Sequence, residues 1–328
     1  MEMSMVHAHR WQDVKFWLPN GSFSKLDLRD VSLPMLQSIS LHSAFSDEIG
    51  VDIFTLTDAP SLRHADVSAS PPVKIVIPWA RMTTLTLLHN IRLTECMSLL
   101  EECQSLVNLT VSTTGPAAAH TDLVTLTSLK TLVCNLGDST VLEHLALPHL
   151  LRLTVTSLNQ ARDATIFSTF INRSACPLQF FAVHGTAAIS LSVLVPVLRA
   201  IPDSTWDVEF TWHTSRFTVH LFSALQSMDI LPGLKYLRLR ARTRMYDREY
   251  HELLEVLRAR VEAKSPRVPL ESITLEIAIK QPLSIQIMPR NSRIARFREL
   301  ASTGLQINFT IESFDSSTHV VLNSSVQD

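Results

Sequence analysis

The sequence predicts an α/β fold in which short strands and helices alternate along one continuous core. Three observations predict it: a short apolar spacing recurs along most of the chain, amphipathic segments lie between its copies, and the composition suits a large core. Hydrophobic residues make up 46% of the chain and charged residues 18%, which is too apolar for a disordered protein. A repeated unit that packs only against its neighbours can extend such a core along the chain.

The recurring spacing is clearest between Leu33 and Leu41, where the chain follows the pattern L-x-x-L-x-x-L-x-L. Its last part, L-x-x-L-x-L with apolar substitutes, recurs at Phe23/Leu26/Leu28, Leu62/Ala65/Val67, Met82/Leu85/Leu87, Leu106/Leu109/Val111, Leu129/Leu132/Cys134, Leu150/Leu153/Val155, Leu178/Phe181/Val183, Leu234/Leu237/Leu239 and Leu270/Ile273/Leu275, with a first copy at Trp11/Val14/Phe16 and a degenerate copy at Trp206/Val208/Phe210. The spacing predicts an irregular leucine-rich-repeat solenoid, with a curved parallel sheet on the concave side and helices and loops on the convex side.

Each alternating L-x-L is predicted to be a short strand with two side chains facing the core. The residues beside them should point out of the other face of the sheet. We expect the central residue of nine copies to lie buried in neighbouring parallel strands of one sheet: Leu26, Ile39, Leu85, Leu109, Leu132, Leu153, Phe181, Leu237 and Ile273.

Helices are predicted between the strands, because apolar side chains recur on one face of residues 94–103, 163–171, 190–200, 217–228 and 247–261. Asp163 and Asp247 stand at the start of two of these segments, where each is expected to cap the helix. Cys96, Cys103 and Cys134 fall on core-facing positions, so we expect them to be small buried hydrophobes.

The two ends of the chain differ in pattern. We expect a single leucine-rich-repeat domain over residues 1–328, with repeats at about 11–280 and a C-terminal cap and tail at about 281–328. Alternating apolar residues at 273–279 and 305–311 predict two longer strands. No comparable cap is visible ahead of Trp11, so we expect an exposed apolar cluster of Trp11, Val14, Phe16 and Trp17 and self-association through it.

Composition and motifs argue against several classes of function. The net charge is −2, so no nucleic-acid partner is expected. The seven glycines do not cluster into a phosphate-binding loop, and the four cysteines form no C-x-x-C pair, so we expect neither a cofactor nor a metal site. Neither a membrane-spanning stretch nor a signal peptide is visible, which favours an intracellular protein, cytoplasmic or nuclear, without membrane contact.

Several short segments carry more than apolar spacing. They are His9-Arg10-Trp11-Gln12-Asp13-Val14, Leu33-Pro34-Met35-Leu36-Gln37-Ser38-Ile39-Ser40-Leu41, Ala59-Pro60-Ser61-Leu62-Arg63, Pro78-Trp79 with Met82 and Leu85, and Arg173-Ser174-Ala175-Cys176-Pro177-Leu178. Together they resemble the leucine-rich-repeat part of a large family of fungal F-box proteins, over nearly the whole chain. The resemblance implies that the repeats hold a substrate while an F-box recruits the adaptor subunit of a cullin-type ubiquitin ligase. No F-box is recognisable here, so adaptor binding is expected only if one precedes this chain.

Charged side chains concentrate beside the core positions of three consecutive predicted strands. The candidate ligand-binding residues on the concave face are Asp207, Glu209, Tyr236, Arg238, Arg240, Arg242 and Glu276, and Arg244 extends the same alternation. Arginines at alternate positions would grip a carboxylate or phosphate by paired hydrogen bonds. The alternative is a set of cross-strand ion pairs, which joins Glu209 to Arg238 or Arg240 and Glu276 to Arg240.

The leading functional hypothesis is a non-catalytic scaffold, not an enzyme, that binds an unknown protein. It would correspond to the substrate-recognition part of F-box ubiquitin-ligase receptors. An alternative in the same class is a free-standing or truncated repeat protein with no ligase role. A hypothesis of another class is a hydrolase that uses the region of Asp207, Glu209 and His213, which requires these side chains to converge in a pocket.

Overall fold

The computed structural model describes residues 7–19, 22–26, 28–44, 52–68, 73–114, 122–135, 141–158, 160–186, 189–227, 229–243, 245–262, 269–279 and 291–313. Over these residues the protein is an α/β fold with a parallel sheet of twelve strands, which confirms the predicted fold class at that level. The chain divides into two compact units, Met1–Leu150 and Leu151–Asp328. No described helix combines the length and apolarity needed to cross a bilayer.

The first unit contributes six parallel strands to the sheet, in the order β1-β2-β4-β6-β7-β9. Its described elements are β1 (Asp13–Pro19), β2 (Ser38–Ala44), β3 (Asp52–Thr55), β4 (His64–Ser68), β5 (Val73–Val76), β6 (Thr84–Arg92), α1 (Leu93–Glu102), β7 (Asn108–Thr114), β8 (Val124–Thr125), β9 (Thr131–Asn135) and β10 (Leu145–Ala146). The short strands β3 and β5 pair with each other, as do β8 and β10, outside the main sheet.

The core of the first unit is built from residues that stand level on neighbouring strands. Ile39, Ala65, Leu85, Leu109 and Leu132 follow one another across β2, β4, β6, β7 and β9. Each is at most 3% exposed. The central positions of these five copies therefore stack on one another, as the spacing predicted.

The second unit alternates strand and helix regularly, and its strands pair in chain order. Its described elements are β11 (Arg152–Thr156), α2 (Ala161–Ser174), β12 (Phe180–Thr186), α3 (Leu191–Ala200), β13 (Asp207–Trp212), α4 (Ser215–Gln226), β14 (Tyr236–Ala241), α5 (Asp247–Val261), β15 (Ser272–Ile279), α6 (Asn291–Ser302) and β16 (Gln306–Ser313). The level core positions on its strands are Leu153, Phe181, Val208, Leu237, Ile273 and Ile307.

The helices of the second unit pack against the core side of its strands. Phe167 of α2 lies 5.3 Å from Phe181 of β12, measured between ring centroids. Phe217 of α4 lies 6.2 Å from Phe210 of β13 in the same way. The apolar faces that predicted these helices are therefore the faces that cover the sheet.

One predicted strand is wrong. Phe23, Leu26 and Leu28 are buried as expected, but the chain forms a 3-10 turn at Phe23–Lys25 and Leu26 lies outside any strand. The Leu26 amide donates to the Phe23 carbonyl (3.0 Å), and the Val31 amide donates to the Leu28 carbonyl (3.3 Å). These local bonds engage backbone groups that a sheet strand would share with its neighbour.

Of the two predicted helix caps, Asp163 does cap its helix, from the third helical position, whereas Asp247 does not. Asp163 is the third residue of α2, and its Oδ2 accepts a hydrogen bond from the Gln160 amide at 2.7 Å. Asp247 is the first residue of α5, where Glu249 instead accepts from the Tyr246 amide at 2.6 Å. Each carboxylate that bonds back to the residue before the helix satisfies one donor at the helix start.

The cysteines are buried, as predicted. Burial raises the pKa of the Cys96, Cys103 and Cys134 thiols to about 12. A thiol with such a pKa carries almost no thiolate near neutral pH, and the thiolate is the reactive form. These side chains serve as small core hydrophobes.

A buried arginine of α5 contacts the end of α4 and the loop between α4 and β14. Arg260 is 6% exposed. Its guanidinium donates to the carbonyl oxygens of Leu225 (3.1 Å), Ile230 (2.6 Å) and Leu231 (2.9 Å). Leu231 itself has a left-handed backbone, with φ of 52°. The guanidinium therefore donates to carbonyl groups at the end of α4 and in the loop that follows it.

We predict that Arg260→Met lowers the free energy of unfolding by roughly 3 kcal/mol, because it removes the guanidinium that donates to several buried carbonyls. Urea unfolding followed by circular dichroism measures the loss. The matched control is Arg258→Met on the same helix, which removes a partly exposed pair with Glu255 (3.4 Å). That control should cost less than about 1 kcal/mol. Equal losses in the two variants would contradict the structural role of Arg260.

Candidate functional site

The candidate residues lie on the side of the second unit's strands opposite to the helices. We call this surface the open face, and it is formed by the residues that alternate with the core positions. One level row consists of Arg152, Phe180, Asp207, Tyr236, Ser272 and Gln306. The next row consists of Thr154, Ala182, Glu209, Arg238, Thr274 and Asn308.

Two carboxylates are buried in the middle of the open face. Asp207 and Glu209 on β13 are only 3% and 5% exposed. Arg238 Nη2 lies 2.9 Å from Asp207 Oδ2, and Arg240 Nη1 lies 2.8 Å from Glu209 Oε1. Arg240 also reaches Glu276, with Nε 2.8 Å from Oε2. The predicted alternative of cross-strand ion pairs is therefore confirmed.

We call these five residues, together with His184, the acid–arginine network. His184 Nε2 lies 3.1 Å from Glu209 Oε1, so Glu209 contacts a histidine as well as arginines. Arg238 Nη1 lies 3.8 Å from Glu209 Oε2. Glu209 is thus surrounded by three potential donors, whereas Asp207 pairs with one. The buried Oδ1 atom of Asp207 has no hydrogen-bond partner among the described groups.

The two buried carboxyl groups respond differently to these surroundings. The hydrogen bond with His184 lowers the pKa of Glu209, and the charges of Arg240 and Arg238 act in the same direction against burial. Burial raises the pKa of Asp207, although Arg238 opposes it. Desolvation disfavours any carboxylate, so the number of donors around each group decides the direction of its shift.

An open depression of about 500 Å³ lies beside the network. It is lined by Trp206, Asp207, Lys235, Tyr236 and Arg238, and we call it the Trp206 depression. The Trp206 and Tyr236 rings meet edge to face, with centroids 5.5 Å apart. Trp206 had been predicted as a core position of the degenerate copy, but it is 37% exposed, because it precedes β13 and lies beyond the stacked core positions.

One rim of the depression is held by a second set of polar contacts. Glu271 accepts a hydrogen bond from the Tyr236 hydroxyl at 2.8 Å and lies 2.9 Å from Lys235 Nζ. All three groups are partly exposed. Tyr236 is thus fixed both by its ring contact with Trp206 and by its hydroxyl.

The structure brings together six of the seven candidate residues: Asp207, Glu209, Tyr236, Arg238, Arg240 and Glu276. Arg242 follows the end of β14, is exposed and does not join the network; its backbone amide donates to the Trp212 carbonyl. Arg244 lies outside the described residues. The described contacts likewise include none between His213 and Asp207 or Glu209.

Sequence reasoning missed four functional candidates: Arg152 and Phe180, His184, and Glu271. They are separated from Asp207 by tens of residues, and only strand register places them beside it. Arg152 lies with its guanidinium carbon 4.0 Å from the centroid of the Phe180 ring. The alternation itself was the available signal, since Arg152 and His184 occupy open-face positions on predicted strands.

No group of His, Cys, Asp and Glu side chains within the described ranges is arranged to hold a metal ion. A comparison with protein-family models finds no match for the chain. A comparison with curated proteins also finds no match.

We predict opposite pH dependences for two variants of the network. Glu209→Gln should lower the free energy of unfolding by about 2 kcal/mol near neutral pH, because it leaves buried donors without their anion. The lowered pKa of Glu209 means that its contribution is present above the unfolded pKa and is lost as pH falls through the folded value. The deficit of Glu209→Gln should therefore shrink in acid.

Asp207→Asn should behave in the opposite way. The raised pKa of Asp207 means that its contribution is greatest below the unfolded pKa and is lost as pH rises through the folded value. The deficit of Asp207→Asn should shrink as pH rises to neutrality. Urea unfolding of wild type and both variants across the acidic range measures both trends. Parallel pH profiles for the two variants would show that this account of the two environments is wrong.

Proposed function

We propose that this chain is a non-catalytic protein-binding scaffold, a leucine-rich-repeat solenoid that holds a partner on the open face of its second unit. One observation carries the proposal: Asp207 and Glu209 are buried beneath Arg238 and Arg240 and hold them in place. The arginine side chains remain 39% and 45% exposed. Side chains that are already held in one conformation lose less conformational entropy on binding, so this surface is preorganised for binding.

The chemistry of the site favours binding over hydrolysis. A catalytic carboxylate must be free to accept or donate a proton at a bound substrate. Asp207 and Glu209 are engaged with arginines and lie almost entirely beneath them. His213 follows the far end of β13, roughly 20 Å from Asp207 along an extended strand. The hydrolase hypothesis therefore lacks the convergence that it requires.

Within this proposal the partner is a protein held as a substrate of an F-box-type ubiquitin ligase. The resemblance of the short segments to fungal F-box proteins supports this role. The scaffold would bind the ligase adaptor only through an F-box preceding these residues. A free-standing repeat protein with no ligase role is the alternative, and it would use the same open face.

Site-specific photo-crosslinking tests the proposed function. Benzoylphenylalanine at Thr154, on the open face of β11, should crosslink a defined protein in cells that express the full chain, and that protein should bind the purified chain. The matched control is the same probe at Ser223, an exposed residue of α4 on the helical side. We expect crosslinks at Thr154 and none of the same protein at Ser223. Equal crosslinking at both positions, or none at Thr154, would refute binding through the open face.

A further inference from the structure

Arg152, on the open face, is held by an aromatic ring and forms no ion pair with a described carboxylate. It is exposed and stacks on the Phe180 ring at 4.0 Å. Within the part of the chain that the structure describes, no side chain is within hydrogen-bond or ion-pair distance of its guanidinium, although its charge helps to oppose the rise in the pKa of Asp207. Stacking on an aromatic ring holds the plane of a guanidinium while its N–H edges stay available to an acceptor.

The accessible charges of the open face are different from its buried charges. The Asp207 and Glu209 side chains are 5% and 6% exposed, whereas Arg238 and Arg240 above them are 39% and 45% exposed. Arg152 adds a third accessible guanidinium at the β11 side. The accessible surface around β11 to β14 therefore presents hydrogen-bond donors, with the balancing anions beneath.

Accessible carboxylates lie on the other side of this surface. Glu276 is on β15, and Glu271 is the residue before the first residue of β15. Their side chains are 38% and 43% exposed. The accessible charge thus changes from positive at β11 to negative at β15. An anionic group of a partner is attracted toward Arg152 and repelled from the β15 side.

Trp206 provides an apolar contact near Arg152. Its ring is partly exposed and is held edge to face against Tyr236. The strand with Arg152 and the strand that Trp206 precedes are two strand spacings apart, which is about 10 Å. Tryptophan residues at the centre of a rigid surface often dominate binding energy.

We infer that the open face binds an acidic peptide segment of the partner, whose carboxylate pairs with Arg152 while a nearby apolar side chain packs on Trp206 in the Trp206 depression. This inference rests on the proposed protein-binding function and names the chemistry of the partner. An extended peptide advances roughly 3.3 Å per residue, so the two partner side chains stand about three residues apart.

A carboxylate fits this site better than a phosphate. The planar guanidinium fork of Arg152 matches a carboxylate with two parallel hydrogen bonds. A phosphate near neutral pH carries close to two charges. Asp207 and Glu209 lie close by and offset the charges of Arg238 and Arg240, and the charge of Asp207 also acts on Arg152. One unpaired guanidinium therefore balances a single negative charge.

Selection of short random peptides on the immobilised full chain tests the inference. Enriched peptides should carry Asp or Glu about three residues from an aromatic or aliphatic residue. A synthetic peptide from the selection is then measured by fluorescence polarisation. Arg152→Gln and Trp206→Ala should each weaken its binding about tenfold or more, because each removes one of the two contacts. Replacing the acidic residue of the peptide with its amide should weaken binding equally.

Two variants serve as controls. Arg296→Gln removes an exposed arginine from α6 and should leave peptide binding unchanged. Arg152→Lys keeps the charge but not the stacked fork, so it should restore only part of the affinity. Thermal unfolding of every variant should show a folded protein at the assay temperature, so that weaker peptide binding does not result from unfolding.

The outcomes separate this inference from the proposed function. Peptides that bind but lack acidic residues, or that bind Arg152→Gln as tightly as wild type, overturn the inference and leave a protein-binding face. A preference for phosphorylated over carboxylate peptides in the same assay also overturns it. Failure to enrich any peptide, together with no crosslink at Thr154, overturns both.

Discussion

Each parallel strand of the second unit sets one core residue level with the core residue of its neighbour, from Leu153 on β11 to Ile307 on β16. Side chains on a strand alternate between faces, so level core positions also make the open-face positions level. A shift of one residue in any strand would exchange its core and open-face side chains. The rows that contain Asp207 and Glu209 form because the core residues on the other face of the same strands are in register.

Strand β13 shows how strongly the open face is organised. All six of its residues are buried, although every second one is on the open face. A buried carboxylate is costly unless donors surround it. Arg238, Arg240 and His184 supply those donors to Glu209, and they come from the strands on both sides of β13. The same contacts that make the acids tolerable also hold the arginines in place, so stability and binding depend on one set of contacts.

The neighbouring side chains extend this organisation toward a partner. Phe180 supports the Arg152 guanidinium, and Tyr236 supports the Trp206 ring while Glu271 holds its hydroxyl. Each exposed group on this part of the open face is thus backed by a second group that restricts it. Contacts between restricted groups favour specificity, since a partner with the wrong charge pattern must leave buried or paired charges uncompensated.

The sequence by itself determined most strands of the twelve-stranded sheet, because the L-x-x-L-x-L spacing and the alternation that follows it are local properties. It also determined that Asp207, Glu209, Arg238 and Arg240 share a face, and it included their ion pairing as one of two alternatives. It did not determine that Leu26 lies in a turn, since an apolar residue is buried equally well by a turn or by a strand.

Only the tertiary structure decided which side chains meet. The positions of Arg152 over Phe180, His184 at Glu209 and Glu271 at Tyr236 depend on the register between strands that long helical connections separate. The burial of Asp207 and Glu209 was likewise invisible in the sequence, because it results from arginines of the next strand lying across them. Alternation along one strand specifies the face on which each side chain lies. The packing of the core and of the connecting helices specifies the register, and so which residues of neighbouring strands lie side by side.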